Sequence, residues 1–553
     1  MSVALLLLLI AATESHHSAS QVDTYDSGGP LMPEQAAYDV KFYDLRLGVR
    51  PSDSTIAGTL TVVADVLAPL DKLVLDLDDQ LGIEDVLLQV PTRLKTPVDF
   101  ERRRGKIWIE LPETSAIGDR ITVEVTYGGK PRIAPNPPWE GGFTWSRTLS
   151  GEPWIATTCQ QEGPDIWWPS KDHPSDEPDS MALHITVPDP LVVASNGRLE
   201  GVDHHPDHTK TYHWFVSTPI NSYNVALNIA PYRTVADSFT SVTGEVFPVI
   251  FWALPESHEK ATRFMAEIFE HLRFFENVAG PYPFRADKYG VAETPHLGME
   301  HQTIIAYGGK FMNGAMTGGV DWGFDALHHH ELSHEWWGNL VTNLDWSDMW
   351  LHEGFGSYMQ PLYLEHTQGY STARQYLAAL RRNISNRSAL APRESRSAKQ
   401  IYGGDIYFKG AWVLHTLRYL VGDGIFRQIL RRMAYPDPTM EGVTDGRQTR
   451  FATTEDFLVL AETISGVELG WFFEVYVRQP QLPRLRTRRR GNTLELAWEV
   501  PGGLEFLLPV DVRVGERIIR VPMPGGDGTL SVPAHLEPVI DPLDQILMDE
   551  GRR

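Results

Sequence analysis

Hydrophobic periodicity changes twice along this chain of 553 residues, and those changes constrain the fold more than any other feature. From about residue 36 to 235, apolar and polar residues mostly alternate, as they do at Tyr43, Leu45, Leu47 and Val49. Alternation of this kind is typical of strands that bury one face. We therefore predict a large N-terminal antiparallel β domain, which we bound at residues 21–238.

A helical period replaces the alternation near residue 256. A long amphipathic helix is predicted from Glu256 to Val278, and helical patterns dominate as far as Val477. The segment Gln479–Pro483 has the composition of a linker, and short strand patterns follow it. A chain of this length is expected to hold about two to four domains. The predicted fold class is multidomain α+β, with a mainly α domain at 239–480 and a small C-terminal β-sandwich at 481–553.

The first twenty residues have the pattern of a targeting segment. Val3–Ala12 is a run of ten apolar residues, which is too short to span a bilayer as a helix. Ser18–Ser20 supplies the small residues of a cleavage site. We predict a signal peptide at residues 1–20 and export to the periplasm or the medium, or a cytoplasmic protein if the run is not a signal. No later stretch predicts an integral membrane span in the mature chain.

The net charge and the cysteine content argue against nucleic-acid and membrane partners and against a disulfide within the chain. The chain carries 49 Lys and Arg against 72 Asp and Glu, a formal net charge of −23. Such a protein is a poor partner for nucleic acid or an anionic membrane. The arginine-rich segment Arg484–Arg490 is the local exception, and its alternation predicts a solvated edge strand guarded by charge. The single cysteine, Cys159, rules out a disulfide within the chain.

The pentad His330–His334 predicts a metal site. Histidines four positions apart lie on one face of a helix, so His330 and His334 can bind one ion. Glu331 lies about 100° round that helix, beside the ligands, where a base can deprotonate a metal-bound water. Glu353, near the start of a second predicted helix, would be the third ligand. Two imidazoles, one carboxylate and a water form an open tetrahedral site, which predicts one catalytic Zn²⁺ per chain. A purely structural histidine pair is the alternative.

Four further segments resemble motifs of one known family. Trp350–Phe355 resembles its Trp-Leu-Asn-Glu-Gly-Phe helix, and Leu297–His301 resembles its Gly-x-Met-Glu-Asn motif. Tyr407–Ala411 resembles Tyr-x-Lys-Gly-Ala, and Thr158–Glu162 resembles a β-domain loop that reaches the active site. On these motifs the chain resembles the gluzincin aminopeptidases, the family of aminopeptidase N and leukotriene hydrolase, over most of its length. The resemblance implies a thermolysin-like catalytic domain in a bacterial-type, three-domain member that lacks the large C-terminal helical domain of many relatives.

The resemblance also implies roles for residues in the Leu297–His301 motif. Glu300 would bind the free α-amino group of the substrate, because a carboxylate recognises an ammonium group through a charge-assisted hydrogen bond. Gly298 and Met299 would bind the substrate through the backbone on the glycine side of the motif, which would lie along the scissile peptide. The chain departs from the family motif at Leu297, which stands for a glycine, and at His301, which stands for an asparagine.

Two further roles implied by the resemblance each have a competing residue. Tyr407 would donate a hydrogen bond to the oxyanion that develops opposite the zinc, and Tyr402 is the competing candidate. Gln160 would contribute to the site for the substrate amino terminus, and a shift of one residue in the alignment would make it Gln161.

Together these residues predict a zinc metallo-aminopeptidase that releases N-terminal amino acids from peptides. Glu331 would assist the attack of zinc-bound water on the first peptide bond. The expected partners are peptides with a free N-terminus, and no nucleic-acid partner is expected. The sequence leaves the oligomeric state open. Two alternatives remain: a zinc endopeptidase of the thermolysin type, which gains nothing from an amine anchor, and a catalytically inactive scaffold of the same family.

Overall fold

The computed structural model describes residues 25–89 and 95–550. The predicted signal peptide lies outside the described residues. The described chain forms two compact units, of which the first holds everything up to Trp346 together with Arg396–Gln400 and Asp437–Phe451. The second holds Ser347–Ser395, Ile401–Pro436 and the chain from Ala452 onward. The domain boundaries drawn from the sequence stay a prediction.

Strands dominate the first half of the chain and return at its end. Numbered in chain order, they are β1 Tyr38–Arg50, β2 Thr55–Val66, β3 Leu70–Asp76, β4 Leu81–Gln89, β5 Thr96–Pro97, β6 Phe100–Arg103, β7 Lys106–Ser115, β8 Arg120–Gly129, β9 Gly142–Arg147, β10 Pro153–Thr158, β11 Ser180–Pro188, β12 Val192–Ser195, β13 Arg198–His204, β14 Thr209–Val216, β15 Leu227–Ala230, β16 Arg233–Thr240, β17 Val246–Ala253, β18 Tyr289–Glu293, β19 Gly298–Met299, β20 Ile305–Tyr307, β21 Val341–Asn343, β22 Arg450–Ala452, β23 Arg484–Arg490, β24 Thr493–Glu499, β25 Val510–Val514, β26 Arg517–Val521, β27 Asp527–Ser531 and β28 Val539–Ile540.

Helices fill most of the chain between the two groups of strands. The α-helices are α1 Pro33–Ala36, α2 His258–Ala279, α3 Ala326–Ser333, α4 Trp350–Gln368, α5 Tyr370–Arg381, α6 Ala398–Ile401, α7 Gly404–Val421, α8 Asp423–Ala434, α9 Thr454–Ser465 and α10 Gly470–Tyr476. Among the described residues, none of these helices has both the length and the apolar character needed to cross a bilayer. This order of mostly β, mainly helical and again β segments confirms the predicted fold class.

The largest sheet of the first unit has eight strands in the order β13-β14-β11-β1-β2-β8-β4-β5. Its pairing is antiparallel except for β1 and β11, which run parallel with Leu45 opposite Leu183. The alternation seen in the sequence has its expected cause, since Leu45 and the facing Leu60 are buried while their neighbours on each strand are more exposed. The prediction of a mainly antiparallel N-terminal β domain is therefore confirmed. The parallel pairing of β1 with β11 was not indicated by the sequence.

A five-stranded mixed sheet of the first unit carries the motif that resembles Gly-x-Met-Glu-Asn. Its order is β16-β17-β18-β20-β19, and β19 forms one edge, where it pairs with β20. Helix α2 contacts β16, β17 and α3. The predicted helix from Glu256 to Val278 is observed within two residues at each end, and it buries one face through Ile268, Leu272 and Phe275. This packing fixes α3 close to the edge strand, which contacts it directly.

Helices α4 and α7 pack closely in the second unit, and two glycines allow it. A Cβ atom on Gly354 would lie 3.0 Å from Cα of Gly410, and one on Gly410 would lie 2.8 Å from Cα of Gly354. Side chains at these positions would force the two helices apart. Because Glu353 and Lys409 precede these glycines, the motifs at Trp350–Phe355 and Tyr407–Ala411 meet at this crossing.

The C-terminal strands form two three-stranded sheets, ordered β23-β24-β27 and β26-β25-β28. Leu494 and Leu496 on β24 and Val510 and Val512 on β25 are buried, as expected where sheets cover an apolar core. Strand β23 is the arginine-rich segment, and it lies at a sheet edge with most of its side chains exposed. The prediction of a charged edge strand is confirmed.

Candidate active site

Helix α3 places the two histidines of the pentad. Asp325 caps its N-terminus, where the carboxylate accepts a hydrogen bond from the backbone N–H of His328 at 2.9 Å. The helix ends at Ser333, and His334 follows with φ −69° and ψ −16°, still in the helical region. His330 and His334 therefore keep the one-turn relationship that the spacing predicts, although the second histidine lies just beyond the regular helix.

The two imidazoles face each other with the geometry of a metal site. Nε2 of His330 lies 3.2 Å from Nε2 of His334. Two nitrogens bound to one tetrahedral zinc at about 2.0–2.1 Å would lie about 3.3 Å apart. Nδ1 of His334 is 3.0 Å from the carbonyl oxygen of Trp337, so an Nδ1–H donated there leaves the Nε2 lone pair for a metal.

Glu353, in the first turn of α4, completes the group. One ligand atom from each of His330, His334 and Glu353 lies within 4.8 Å of the other two, and all three residues are buried. Over residues 25–89 and 95–550 this is the one cluster of three or more histidine, cysteine or acidic side chains able to hold a metal ion. Two nitrogens and one carboxylate oxygen are the donor set of a catalytic zinc site, which keeps a fourth position open.

Two tyrosines of the second unit converge on one oxygen of Glu353. The hydroxyl of Tyr407 lies 2.8 Å and that of Tyr402 3.0 Å from Oε1 of Glu353, and the hydroxyls are 2.7 Å apart. These three contacts share two hydroxyl protons, so at most two of them are hydrogen bonds at once. One tyrosine can hold Glu353 while the other donates elsewhere. The structure thus brings together both of the candidates that the sequence offered.

Glu331 lies against the edge strand β19. A Cβ atom on Gly298 would come within 2.5 Å of Oε1 of Glu331 and 2.6 Å of a methyl carbon of Leu327. Only a glycine leaves room for the carboxylate at this point. Met299, the next residue, is buried and pairs with Ala306 of β20. Among the described residues, no strand pairs with the other side of β19, which is the arrangement that lets an extended peptide add to a sheet edge.

Glu300 receives two hydrogen bonds on one oxygen. Nε2 of Gln160 and the hydroxyl of Tyr223 both donate to its Oε1, the tyrosine at 3.0 Å. Glu300 and Gln160 are each 4 % exposed, whereas Gln161 is only half-buried. Of the two glutamines that the sequence left open, the structure brings Gln160 to Glu300.

Sequence reasoning missed Tyr223, and it also missed the residues that hold the backbone at Glu300. The carbonyl oxygen of Glu300 accepts a hydrogen bond from Nδ2 of Asn339 at 3.1 Å, and Oδ1 of Asn339 accepts one from Nδ2 of Asn224 at 2.8 Å. The only signal was their residue type, because buried Asn and Tyr side chains normally have hydrogen-bond partners. Their positions in the sequence gave no indication of where those partners lie.

His301, which stands for the family's asparagine, is neutral in this structure. It is buried, and burial lowers its pKa to about 3, with the neighbouring His296 a lesser cause. The imidazole of His301, the residue that follows Glu300, is thus uncharged at neutral pH. The other departure from the motif, Leu297, precedes Gly298 and donates no side-chain hydrogen bond.

Two family models match the chain. The model for the peptidase M1 N-terminal domain matches residues 40–224, and the model for the peptidase family M1 domain matches residues 265–440. Together they cover more than half of the chain.

Curated relatives are similar at low identity. Aminopeptidase M1-C of Oryza sativa subsp. japonica is 23% identical over 475 residues, which are 82% of this chain and 51% of that protein. Endoplasmic reticulum aminopeptidase 1 of Mus musculus is 26% identical over 263 residues, 43% of this chain and 28% of that protein. The chain spans about half the length, or less, of these relatives.

Solved structures share the fold. An M1 zinc metallopeptidase from Deinococcus radiodurans superposes with a TM-score of 0.65 at 24% identity, over 83% of this chain and 98% of that one. A glutamate-to-alanine mutant of an M1 zinc metallopeptidase from the same organism, bound to a Tyr-Ser-Ala substrate, gives a TM-score of 0.67 with the same identity and coverage.

Proposed function

The chain belongs to peptidase family M1, and we propose that it is a zinc-dependent aminopeptidase that releases N-terminal amino acids from peptides. The names of its relatives support this activity, since the curated ones are aminopeptidases and the solved ones are zinc metallopeptidases. The observation that carries the proposal is that Glu331 lies against Gly298 of the edge strand β19 while Glu300 directly follows that strand.

That arrangement favours cleavage after one residue. Glu331 lies against Gly298, and Glu300 follows Gly298 by two positions. Two residues of extended chain span about 6.6 Å. A substrate aligned with this edge and anchored by its ammonium group at Glu300 would present its first peptide bond near Glu331. An endopeptidase gains nothing from such an anchor, and an inactive scaffold has no use for the base, so neither alternative explains both carboxylates.

The metal ligands would be His330, His334 and Glu353. A zinc ion held there supplies Lewis acidity that activates a water molecule and polarises the scissile carbonyl. The rest of the chemistry falls to this chain's own side chains. His334 is oriented for binding by its Nδ1–H, which donates to the carbonyl oxygen of Trp337.

Glu331 acts as the base and then as the acid. Its carboxylate accepts a proton from the attacking water and returns that proton to the nitrogen of the leaving amine. Oε1 of Glu331 lies beside the backbone of Gly298 in the edge strand. A substrate aligned with that strand would therefore lie within reach of the same carboxylate for both proton transfers.

Tyr407 stabilises the negative charge on the carbonyl oxygen. Its hydroxyl can turn from Glu353 to the oxyanion, while Tyr402 keeps its own hydrogen bond to Glu353. A phenol is suited to this task because it keeps its proton near neutral pH. Glu300 binds the substrate ammonium group, and Gln160 supports that carboxylate through its amide N–H.

Export is a second part of the proposal, and it rests on the sequence of residues 3–20 alone. N-terminal sequencing of the protein recovered from its native host tests it. Removal of the apolar run Val3–Ala12 is the expected result, and a mature protein that retains this run would contradict export.

The replacement Glu331→Gln tests the proposed chemistry. Glutamine keeps the shape of glutamate but cannot accept the proton, so we expect kcat to fall by about 10²–10⁴-fold with zinc content unchanged. Glu259→Gln, at an exposed position of α2, is the matched control and should keep wild-type activity. Full activity in a zinc-loaded Glu331→Gln protein would contradict the assignment of the base.

A further inference from the structure

We infer that Tyr223 and Asn224 are positioning residues for the amine anchor Glu300. They lie in the short 3₁₀ turn Ser222–Asn224, at the end of the region matched by the N-terminal family model. This inference rests on the proposed function, and it assigns the control of cleavage position to a turn that lies outside the catalytic motifs. Tyr223 holds the side chain of Glu300, and Asn224 holds its backbone through Asn339.

The side chain of Glu300 is held by two donors on one oxygen. The Tyr223 hydroxyl and the Gln160 amide both donate to Oε1. Two donors that meet at one oxygen fix the rotation of the carboxylate group and stabilise its negative charge. Tyr223 and Gln160 together therefore set the direction in which the carboxylate faces an ammonium group.

Tyr223 has little freedom to move. It is 2 % exposed, and its ring centroid lies 5.7 Å from that of Trp346. Its backbone N–H donates to the side chain of Asn221 at 3.1 Å, and its carbonyl oxygen accepts the thiol of Cys159 at 3.3 Å. Since Cys159 precedes Gln160 in the chain, this contact also ties the two donors to each other.

The backbone around Glu300 is held from the same turn. Nδ2 of Asn224 donates to Asn339, whose Nδ2 donates to the carbonyl oxygen of Glu300. Asn196 adds a second connection, because its Nδ2 donates both to the carbonyl oxygen of Asn224 at 2.8 Å and to that of Gln302 at 2.7 Å. The turn thus fixes the chain at Glu300 and two residues beyond it.

A rigid anchor matters because the anchor sets which bond is cleaved. A displacement of about 1 Å at a positioning group is enough to cost about 10²-fold in rate. Hydrogen bonds to a charged group are stronger than those between neutral groups, and the loss of one corresponds to about 10- to 100-fold in affinity. We therefore expect Tyr223→Phe to raise KM for substrates with a free amine by about tenfold or more, with a smaller change in kcat.

The test uses the full-length, zinc-loaded protein and two kinds of ligand. KM and kcat are measured on a peptide with a free N-terminus, and affinity is measured for a peptide-like hydroxamate with an α-amino group and for its analogue without the amine. Tyr212→Phe is the matched control, because it also removes one buried tyrosine hydroxyl, which donates to the carbonyl oxygen of Leu191 at 3.2 Å. Asn224→Ser is the second test variant. Zinc content and thermal midpoint are recorded for all variants.

The expected result is a loss confined to ligands that carry the amine. Tyr223→Phe should weaken the amino hydroxamate by about tenfold and leave the analogue unchanged, and Asn224→Ser should do the same to a smaller extent. A KM shift no larger than that of Tyr212→Phe, or equal weakening of both hydroxamates, would overturn the positioning role. The proposed function fails by a different result, namely wild-type protein that binds the two hydroxamates equally well and cleaves acetylated and free peptides alike.

Discussion

Oε1 of Glu331 lies against the backbone of Gly298, where a Cβ atom would be only 2.5 Å away. This contact joins α3, the helix that carries His330 and Glu331, to the edge strand of the five-stranded sheet. It places the proposed base beside the strand that directly precedes the amine anchor Glu300.

Gly298→Ala should lower kcat/KM by about 10- to 100-fold. The added methyl group must displace either the Glu331 carboxylate or β19, and a small misplacement of a catalytic group is costly in rate. Zinc content should not change, because the three atoms nearest to the new methyl group belong to Glu331 and Leu327 and not to a proposed metal ligand. Gly201→Ala is the control, since a Cβ atom there has no neighbour within 4 Å. Unchanged kinetics in Gly298→Ala would show that the carboxylate does not need this approach.

Tyr407→Phe and Tyr402→Phe should differ in kcat. Loss of one oxyanion donor costs about 10²–10³-fold, and we expect that loss for Tyr407. Tyr402→Phe should cost less, because it removes one hydrogen bond to Glu353 and leaves the proposed oxyanion donor Tyr407 in place. Steady-state kinetics on one peptide substrate give both values. A larger loss of kcat in Tyr402→Phe than in Tyr407→Phe would assign the oxyanion donor to Tyr402 instead.

Metal removal should abolish activity reversibly. Dialysis against a chelator should give inactive protein, and one equivalent of Zn²⁺ should restore activity and raise the thermal midpoint, because an ion that binds only the folded state stabilises it. His334→Ala should not be restored by the same addition. Peptidase activity in protein shown to be free of metal would contradict the proposal that the enzyme depends on zinc.

Acidification should destabilise the second unit through His415. Burial, with a lesser contribution from Arg418, lowers the pKa of His415 to about 3, against an ordinary value near 6.5. The unfolded chain therefore binds more protons below pH 6.5, so the stabilisation is present above that pH and is lost as pH falls toward 3. The slope is at most about 1.4 kcal/mol per pH unit.

His415→Gln should make this pH dependence shallower. Any destabilisation of the variant at pH 7.5 should shrink as pH falls from 6 to 4.5, because glutamine does not titrate. Thermal midpoints of both proteins across that range measure the effect. Parallel curves would show that the folded protein accepts a proton at His415 without penalty.

Short-range spacing made much of the site predictable. The one-turn spacing of His330 and His334 is a property of any helix, and Glu353 lies at the start of a helix that the apolar pattern reveals. Strand alternation likewise predicted a large antiparallel β domain, since one face of its eight-stranded sheet is buried. The parallel pairing of β1 and β11 was not predictable, because alternation does not report the direction of a neighbouring strand.

Long-range hydrogen bonds account for what the sequence could not give. Tyr223 meets Glu300 across 77 positions in the chain, and Asn224 meets Asn339 across 115. No local pattern encodes such pairs. A buried polar side chain needs a hydrogen-bond partner, but the residues next to it in the sequence do not indicate which distant residue that partner is. The choice between Tyr402 and Tyr407 has a related cause, since both hydroxyls reach the same oxygen of Glu353.

The most direct test of the proposed function is the hydrolysis of one peptide in two forms, with a free N-terminus and with an acetylated one, by protein of measured zinc content. The account predicts stepwise release of residues from the free form only, because the acetylated form cannot pair with Glu300. Internal cleavage of both forms, at similar rates, would contradict it.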